Sequence, residues 1–357
     1  MKKKPIILGI ETSCDETAAS IIQENSDGSV KILSNIVSSQ VEVHKEFGGV
    51  VPELAARSHA EKIDLITKKA IKDSGIRIDD ISAIASTAGP GLIVCLSVGL
   101  NFGKAIAASS GKPFIAVNHL EGHALSPKLD SKVSYPYLAL LISGGHSQYL
   151  SVENLGKYKR LGTTIDDALG EAFDKTAKLI GIEFPGGPKI EEYARLGDPN
   201  KFKLPKPIIN KGGCNLSFAG LKTAILRISN TIKSKQEKYD LAASFQKTIE
   251  EILEVKTQIA FDEFKKTSKN KSKTFVIAGG VAANKGIRKK LIKICKNNDF
   301  RPIFPEPKLC GDNAAMIALV GLEKYKIKKF DNLDLPASPR LPLDEKAKFL
   351  KGAGVRL

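Results

Sequence analysis

Residues 6–22 have the sequence IILGIETSCDETAASII, in which two apolar runs flank the polar stretch Glu11–Thr17. Short runs rich in β-branched residues on either side of a polar turn predict a β-hairpin. Residues 137–152, YLALLISGGHSQYLSV, repeat this design with Ser143–Ser147 at the turn. After each hairpin the pattern predicts alternating helices and strands. The sequence therefore predicts an α/β protein with two related halves.

The second half contains a further glycine-rich turn, which follows a predicted strand at Thr274–Ala278. Gly279 and Gly280 begin this turn, and glycines allow a ligand to approach the backbone closely. Asn284 ends it and suits the N-cap of a basic helix predicted from about residue 285 to residue 296.

The length of 357 residues is sufficient for about two domains. Hydrophobic residues at 42% and charged residues at 26% are typical of globular proteins, which disfavours a disordered or fibrous chain. We predict an N-terminal domain, a C-terminal domain and a tail packed on the surface, with the bounds 1–133, 134–325 and 326–357.

The cellular compartment is predicted from cysteine usage and from the apolar segments. The five cysteines are scattered and form no Cys-x-x-Cys pair, which favours a reducing compartment. The longest uncharged stretch, residues 81–103, is interrupted by Gly89-Pro90-Gly91, so it predicts a strand, a turn and a packing helix instead of a membrane span. We therefore expect a cytoplasmic protein that does not bind a membrane.

The net charge is +16, from 55 basic and 39 acidic residues, which makes nucleic acid a candidate partner through contacts with phosphates. Only nine of the basic residues are Arg, and the excess of Lys is spread along the chain. A generally solvated, lysine-rich surface is the alternative interpretation.

His119-Leu-Glu-Gly-His123 is the sharpest local signal, because residues four apart lie on one face of a helix and two imidazoles can then reach one metal ion. The alternative is two unrelated histidines near a helix start. Asp312 is the best third ligand, although an ordinary helix cap would also place Asp there. Two His and one carboxylate favour iron(II), with zinc as the alternative. Glu121 is misplaced for a zinc peptidase of either sequence type.

The turns at Ser143–Gly145 and Gly279–Gly280 suit contact with a phosphate or nucleoside, because bare N–H groups can approach an anion closely. Each is also what an ordinary turn looks like, and neither matches a P-loop or a dinucleotide fingerprint. Asp174 and Lys175 could supply polar contacts, with a charged helix face as the alternative.

Taken together, these segments resemble one known family. Ten strings occur in order between residue 6 and about residue 319: GIETSCDET, GGVVPELAARSH, TAGPGL, NHLEGH, LLISGGHS, DDALGEAFDKTAKLIG, FPGGP, LSFAGLKT, AGGVAANKGIR and GDNAAMIAL. The chain is similar over nearly its whole length to the bacterial tRNA adenosine threonylcarbamoyltransferases of the TsaD family, whose members were formerly described as O-sialoglycoprotein endopeptidases.

The resemblance implies the actin-like, Hsp70-like ATPase (ASKHA) fold, with two duplicated α/β domains facing each other across a nucleotide cleft. It implies metal ligands at His119, His123 and Asp312, which would hold one Fe2+ per subunit, with Zn2+ as the alternative. The substrate-binding positions that it implies are Leu141, Ile142, Ser143, Gly144, Gly145, Asp174, Gly187 and Asn284. It assigns no catalytic residue. Glu11 and Asp15 are candidates for a general base, and a structural or magnesium-related role is the alternative for both.

The implied reaction transfers the threonylcarbamoyl group of threonylcarbamoyl-AMP to the exocyclic amine of the adenosine 3′ of the anticodon, in tRNAs that read codons beginning with A, and releases AMP. The resemblance also implies a threonylcarbamoyl-AMP synthase, an inactive paralogue that forms a heterodimer and a small ATPase as partners. The basic helix after Asn284, with Arg288, Lys289, Lys290 and Lys293, is a candidate for holding tRNA. An ATP-dependent phosphotransferase or ATPase of the same fold, a metallopeptidase and a non-enzymatic scaffold are the competing functions.

Overall fold

Two five-stranded sheets organise the chain, one in each of two structural units. The structure is a computed structural model, and it describes residues 4–267 and 272–348. Unit 1 comprises Met1–Val133 and Pro305–Leu343, and unit 2 comprises Ser134–Phe304 and Asp344–Leu357.

The sheet of unit 1 has the order β3-β2-β1-β4-β5. The first three strands form an antiparallel meander, and β4 and β5 continue the sheet in parallel with β1. The bounds are β1 (Ile6–Glu11), β2 (Glu16–Glu24), β3 (Val30–Ser39), β4 (Ala83–Gly89) and β5 (Phe114–Asn118), with helices α1 (Val41–Lys45), α2 (Pro52–Ser74), α3 (Ile93–Ser110) and α4 (His119–Leu125). All six residues of β1 are buried, because helices cover both faces of the central strand.

The sheet of unit 2 repeats this arrangement, with the order β10-β9-β6-β7-β8. Its strands are β6 (Tyr137–Ile142), β7 (Ser147–Asn154), β8 (Lys157–Thr163), β9 (Thr274–Ala278) and β10 (Arg301–Ile303), and its helices are α5 (Leu169–Leu179), α6 (Gly186–Ala194), α7 (Ala219–Ser229), α8 (Lys235–Thr267) and α9 (Lys285–Asn297). Again β6 to β8 form an antiparallel meander, and β9 pairs in parallel with the central strand. The predicted duplication of an α/β half is confirmed.

Helix α10 (Ala314–Lys326) corrects the predicted domain bounds, which assigned residues up to 325 to the C-terminal domain. It belongs to unit 1, where it packs on β1 and β4. Glycines make this contact close: a Cβ on Gly9 would lie 2.3 Å from the carbonyl oxygen of Ala314, and a Cβ on Gly321 would lie 2.6 Å from the Cβ of Ala85. The apolar pattern of a helix does not show which of two sheets the helix packs on. The sequence therefore did not reveal that the chain goes back to unit 1 at α10.

The predicted tail also starts as part of unit 1. Its Asp331 carboxylate accepts a hydrogen bond from the Ala116 N–H at 2.8 Å, and the Ser338 N–H donates to the Ala88 carbonyl at 2.7 Å. These bonds hold the segment along β4 and β5. Residues 349–357 of the predicted tail lie outside the described residues.

Helix α3 is the one helix among the described residues that is long and apolar enough to cross a membrane by length and composition. It packs on β4 and α2 through Cys95, Leu96, Leu100 and Ala107, and Gly89-Pro90 separates it from the preceding strand. A core helix of an α/β protein meets the same length and composition criteria, and the packing of α3 agrees with the predicted strand, turn and helix.

Candidate metal centre and substrate loops

Two buried histidines lie one turn apart on α4, as predicted. The helix starts directly after β5, because the side chain of Asn118 accepts hydrogen bonds from the N–H groups of Leu120 and Glu121 at 2.9 and 3.3 Å. This cap fixes His119 at the first helical position and His123 four residues later. His119 is 5% exposed and His123 is 1% exposed. Their rings meet edge to face, with the centroids 4.7 Å apart.

Asp312 completes the predicted set, although 189 residues separate it from His123. One of its carboxylate oxygens lies 3.0 Å from His123 Nε2 and 3.5 Å from His119 Nε2. One ligand atom from each of the three residues falls within 4.8 Å of the others. The alternative of an ordinary helix cap is wrong, because the cap of α10 is Asn313, whose side chain accepts from the Met316 N–H at 3.2 Å.

Glu11, from the tip of the first hairpin, orients His119 from the other side of its ring. A Glu11 carboxylate oxygen lies 3.0 Å from His119 Nδ1, and it also accepts a hydrogen bond from Thr87 Oγ1 at 2.6 Å. Ser13 Oγ lies 3.1 Å from the same ring nitrogen. A carboxylate on Nδ1 fixes the orientation of the ring and points Nε2 toward Asp312, an arrangement found in many metal sites.

The charges of this cluster depend strongly on one another. Burial by itself would lower the pKa of His119, but the carboxylates of Asp312 and Glu11 raise it well above its ordinary value. Burial likewise opposes ionisation of Asp312, yet the two facing imidazoles hold the pKa of this carboxyl well below its usual range.

The residues present fit a divalent cation. Two nitrogen donors and one oxygen donor converge, and a second carboxylate stands behind His119. A bound cation would account for the convergence, and a set of two His and one carboxylate suits iron(II) or zinc.

Glu121 does not take part in this cluster, in agreement with its misplacement for a peptidase. Its carboxylate lies 3.4 Å from Lys324 Nζ of α10, and the same ammonium donates to the Ala116 carbonyl at 2.9 Å. Glu121 therefore joins α4 to α10 instead of serving as a base beside the histidines.

A buried network below the first hairpin tip was missed by the sequence analysis. His59 Nε2 donates to the Cys14 carbonyl at 3.0 Å, while its Nδ1 accepts from Thr17 Oγ1 at 2.8 Å and from Gln40 Nε2 at 3.1 Å. Burial lowers the pKa of His59, so the ring is held neutral. His59 ends the string GGVVPELAARSH, which was the one signal for it, but the sequence does not show what a lone helical histidine contacts.

The tip of the second hairpin is open where the first is braced. Gly144 and Gly145 are exposed, and a Cβ on either would meet no atom within 4 Å. The turn closes on itself through the Ser143 N–H, which donates to the His146 carbonyl at 2.8 Å. Bare backbone of this kind is suited to close contact with an anion.

The first turn of α5 supports this open tip from below. The Gly170 N–H donates to the Ser143 carbonyl at 3.1 Å, and the Leu169 N–H donates to Ser147 Oγ at 2.8 Å. A Cβ on Gly170 would lie 2.7 Å from the carbonyl oxygen of Ser143 and 2.8 Å from the Cα of Gly144. Helix and turn can approach this closely only because residue 170 is glycine.

The other predicted substrate residues of unit 2 differ in which of their groups are available to a ligand. The side chains of Leu141 and Ile142 are buried in the sheet. These two residues could therefore contact a ligand only through their backbone. Asp174 Oδ1 accepts from the Gly186 N–H at 2.8 Å and so positions the start of α6. Gly187 follows in that first turn, and a Cβ there would meet no atom within 4 Å.

Asn284 caps α9, as predicted. Its side-chain oxygen accepts from the Ile287 N–H at 2.9 Å, and its amide forms two hydrogen bonds with the Gln246 amide, at 3.0 and 3.1 Å. Lys175, the other candidate on α5 for polar contacts, pairs with Asp167 at 2.6 Å and with Glu171 at 2.9 Å. These ion pairs are what the alternative of a charged helix face predicts.

The duplicated sheets define the class of the protein, the actin-like and Hsp70-like α/β proteins, and the buried His–His–Asp cluster of unit 1 marks it as a member with a candidate metal centre. Solved structures of the same fold include full-length HypF in a phosphate- and nucleotide-bound form, with a TM-score of 0.58 and 14% identity over 93% of this chain and 57% of that chain. HypF from T. kodakarensis has a TM-score of 0.62 at 13% identity, covering 94% of this chain and 50% of that chain.

Sequence comparison identifies the family. The family model for tRNA N6-adenosine threonylcarbamoyltransferase, TsaD, matches residues 31–319, and the chain belongs to this family. A protein of that name from Pelagibacter ubique is 74% identical over 100% of both chains. Relatives of the same name from Rickettsia conorii (53% identical, covering 95% of this chain and 98% of the relative) and Caulobacter vibrioides (49%, covering 96% and 93%) agree. The chain is therefore an acyltransferase that modifies tRNA adenosine at N6, as the motifs predicted.

Proposed function

We propose that the chain takes the threonylcarbamoyl group from threonylcarbamoyl-AMP and transfers it, in the cytoplasm, to N6 of the adenosine 3′ of the anticodon in tRNAs that read codons beginning with A. In this reaction N6 attacks the carbamoyl carbon, the bond from that carbon to the phosphate oxygen breaks, and AMP leaves. The observation that carries the proposal is the convergence of His119, His123 and Asp312 in a chain of this family. A weak nucleophile and a reactive mixed anhydride make positioning and exclusion of water the main tasks of the enzyme.

His119, His123 and Asp312 would hold one cation, Fe2+ in our proposal and Zn2+ as the alternative. Bound there, the cation would supply Lewis-acid polarisation and orientation of the threonylcarbamoyl group. Glu11 would keep His119 in the tautomer that leaves Nε2 free to coordinate, since its carboxylate lies on Nδ1.

Glu11 is better suited to this positioning role than to that of a general base. Its carboxylate is fully buried and accepts hydrogen bonds from the Ser13 N–H and Thr87 Oγ1 as well as facing His119. A base for N6 must lie within hydrogen-bond reach of the amine, and a carboxylate occupied in this way on every side is poorly placed to accept its proton.

Ser143, Gly144 and Gly145 would bind the AMP portion through backbone N–H groups, because Gly144 and Gly145 are exposed and have open space where a Cβ would lie. Asp174, Gly187 and Asn284 would complete the nucleoside contacts. Asp174 would act mainly by positioning the first turn of α6, given its bond to the Gly186 N–H. Asn284 would act from the cap of α9, where Gln246 holds its amide.

A labile substrate requires partners, and we propose three. A threonylcarbamoyl-AMP synthase would supply the mixed anhydride, an inactive paralogue would form a heterodimer with this chain, and a small ATPase would serve the assembly. tRNA is the acceptor that the family name states.

The decisive experiment is nucleoside analysis of tRNA by mass spectrometry. The purified chain and its partners are incubated with threonylcarbamoyl-AMP and unmodified tRNA, with and without a chelator. We expect threonylcarbamoyladenosine only in the sample with metal. Product formed equally well by a chain freed of metal would overturn the role of the cation, and no product with active partners would overturn the proposed reaction.

A further inference from the structure

The excess of positive charge lies almost entirely in one unit. Unit 1 has 21 basic and 20 acidic residues, whereas unit 2 has 34 basic and 19 acidic residues. The net charges are therefore +1 and +15. A uniformly lysine-rich, solvated surface would distribute the excess over both units, so this asymmetry argues for a polyanion that meets unit 2.

Within unit 2 the excess is concentrated in residues 199–236, which we name the acid-free segment. Its 38 residues contain eight Lys or Arg and no Asp or Glu, which is about half of the net charge of the chain in about a tenth of its length. All eight basic side chains are exposed. The segment comprises an irregular stretch, all of α7 and the start of α8.

The backbone of the acid-free segment is firmly held, so its charges project from a defined surface. The Phe202 N–H donates to Ser244 Oγ of α8 at 3.2 Å. The buried Lys256 ammonium of α8 donates to the carbonyls of Lys211 and Gly213 at 2.8 and 3.2 Å. Burial lowers the pKa of Lys256, and the two carbonyls take its hydrogen bonds inside the fold.

The segment is also tied to the open tip of the second hairpin within unit 2. Asp166 Oδ1 accepts from the N–H groups of Phe218 and Ala219, at 2.7 and 3.3 Å, and so anchors the start of α7. Asp166 lies three residues before α5, whose Gly170 N–H donates to the Ser143 carbonyl. Two short hydrogen-bonded links therefore join the basic surface to the loop that we propose binds AMP.

Few carboxylates neutralise this surface. In the described part of the chain, the ion pairs from the acid-free segment are limited to Lys206 with Glu251, at 2.6 Å. The basic helix α9, the earlier candidate, is more occupied: Lys290 pairs with Glu254 at 2.5 Å, and the Arg288 guanidinium lies over the Phe304 ring at 4.8 Å.

We propose that the acid-free segment of unit 2 is the surface that holds the phosphate backbone of tRNA, with Lys203, Lys211, Lys222 and Arg227 as its main contacts. The inference rests on the proposed function for the identity of the polyanion. Basic side chains on a firmly anchored backbone position a nucleic acid without reading its sequence. The hairpin tip that is linked to this surface would then meet the part of the bound tRNA that carries the adenosine to be modified.

The test compares two variants with equal loss of charge. The first replaces Lys203, Lys211, Lys222 and Arg227 with Gln, and the control replaces Lys62, Lys68, Lys69 and Lys72 of α2 in unit 1 with Gln. Binding of an unmodified tRNA transcript to the full chain is measured over a range of salt concentrations. Because each lost phosphate contact reduces the slope of log K against log salt by roughly 0.7 to 0.9, we expect the first variant to lose about three from the slope and to bind roughly 10³-fold more weakly at about 0.1 M salt.

We expect the control to keep the wild-type slope and affinity. Equal weakening of both variants, or an unchanged slope in the first, would overturn the inference. Thermal unfolding of both variants checks that the fold is retained, and a second variant, Lys222→Glu with Arg227→Glu, repeats the test with two changes on one helix.

Product formation separates this inference from the proposed function. With partners and threonylcarbamoyl-AMP present, the first variant should show a raised KM for tRNA and a kcat close to that of the wild type. Absence of product from the wild type would overturn the proposed function while the binding result still stands. Full product formation by the first variant with an unchanged KM would overturn the surface and leave the reaction in place.

Discussion

The two hairpin tips differ although their strands are built alike. In each, a buried central strand pairs with the next strand around a short turn, with Glu11 opposite Ala18 in the first and Ile142 opposite Ser147 in the second. The first tip is held by buried side chains, whereas Gly144 and Gly145 leave the second tip as exposed backbone, which its own turn closes and α5 supports. Duplication of a fold therefore does not duplicate chemistry, because chemistry depends on which atoms the turn presents.

The difference agrees with what we propose for each tip. A cation site needs rigid ligands, and Glu11, Ser13 and His59 fix His119 and the turn itself. A phosphate site needs N–H groups with open space above them, and Gly144 and Gly145 offer such space. The following predictions separate the two tips by experiment.

The largest effect is expected from His119→Ala. Loss of one of three ligands should remove the metal and lower the rate of transfer by about 10³-fold or more, the size expected when several kcal/mol of charge stabilisation is lost. Metal content by mass spectrometry and threonylcarbamoyladenosine formation are measured together. The matched control is His146→Ala at the second tip, which should retain the metal, and a His119→Ala protein with full metal content would contradict the assignment.

Gly170→Ala should damage the second tip and leave the first intact. The new Cβ would lie 2.7 Å from the Ser143 carbonyl oxygen, so the turn must shift, and a displacement of about 1 Å can cost about 10²-fold in affinity or rate. Binding of AMP by calorimetry should weaken to this extent while metal content stays unchanged. The control is Gly49→Ala, because Gly49 has open space for a Cβ and no positive φ. Gly111 is unsuitable as a control because its φ is +62°. Unchanged AMP binding in Gly170→Ala would show that the tip is not the adenylate loop.

Glu11→Gln should weaken the metal site without removing a ligand. Loss of the carboxylate behind His119 makes the ring a poorer donor, and changes of this type cost about 10- to 100-fold in metal affinity. Competition with a chelator measures the affinity. Glu24→Gln, at the far end of the same hairpin where Glu24 pairs with Lys326, is the control. Equal affinities for wild type and Glu11→Gln would argue that Glu11 has another role.

The smallest effect is expected from acid on the network of His59. The pKa of this ring is lowered in the fold by burial, so the unfolded chain binds the proton more readily as the pH falls below the ordinary value of about 6.5. The stability that the neutral ring provides is present above that pH and is lost as the pH decreases toward the lowered folded value. Between about pH 7.5 and 5.5, the free energy of unfolding measured with denaturant should decline less steeply for His59→Asn than for the wild type. Parallel declines would show that the titration of His59 does not contribute to the loss of stability in acid.

Much of the secondary structure was predictable because its signals are local. The strand at Thr274–Ala278, the helix-spaced pair His119 and His123, and the N-cap at Asn284 all depend on neighbours within a few residues. Helix boundaries are less predictable where a distant contact competes with the helix. Helix α5 starts at Leu169 and no earlier, because Thr164 pairs with Leu216 and Asp166 accepts hydrogen bonds from the start of α7.

The site divides in the same way. Two histidines on one helix face suggested a metal, and Asp312 was the best third ligand, but an ordinary helix cap remained the alternative until the structure showed Asn313 as the cap of α10. His59 carried no chemical signal until the fold placed it against the Cys14 carbonyl.

The sequence by itself determined two α/β halves, their hairpins, the helix with His119 and His123, and the family. Only the tertiary structure decided that α10 returns to unit 1, that Asp312 therefore faces two histidines about 190 residues earlier in the chain, and that the positive charge lies on unit 2. The physical reason is range: hydrogen-bond periodicity and turn chemistry act over a few residues, whereas the packing of α10 on Gly9 depends on shape complementarity between segments that lie far apart in the sequence.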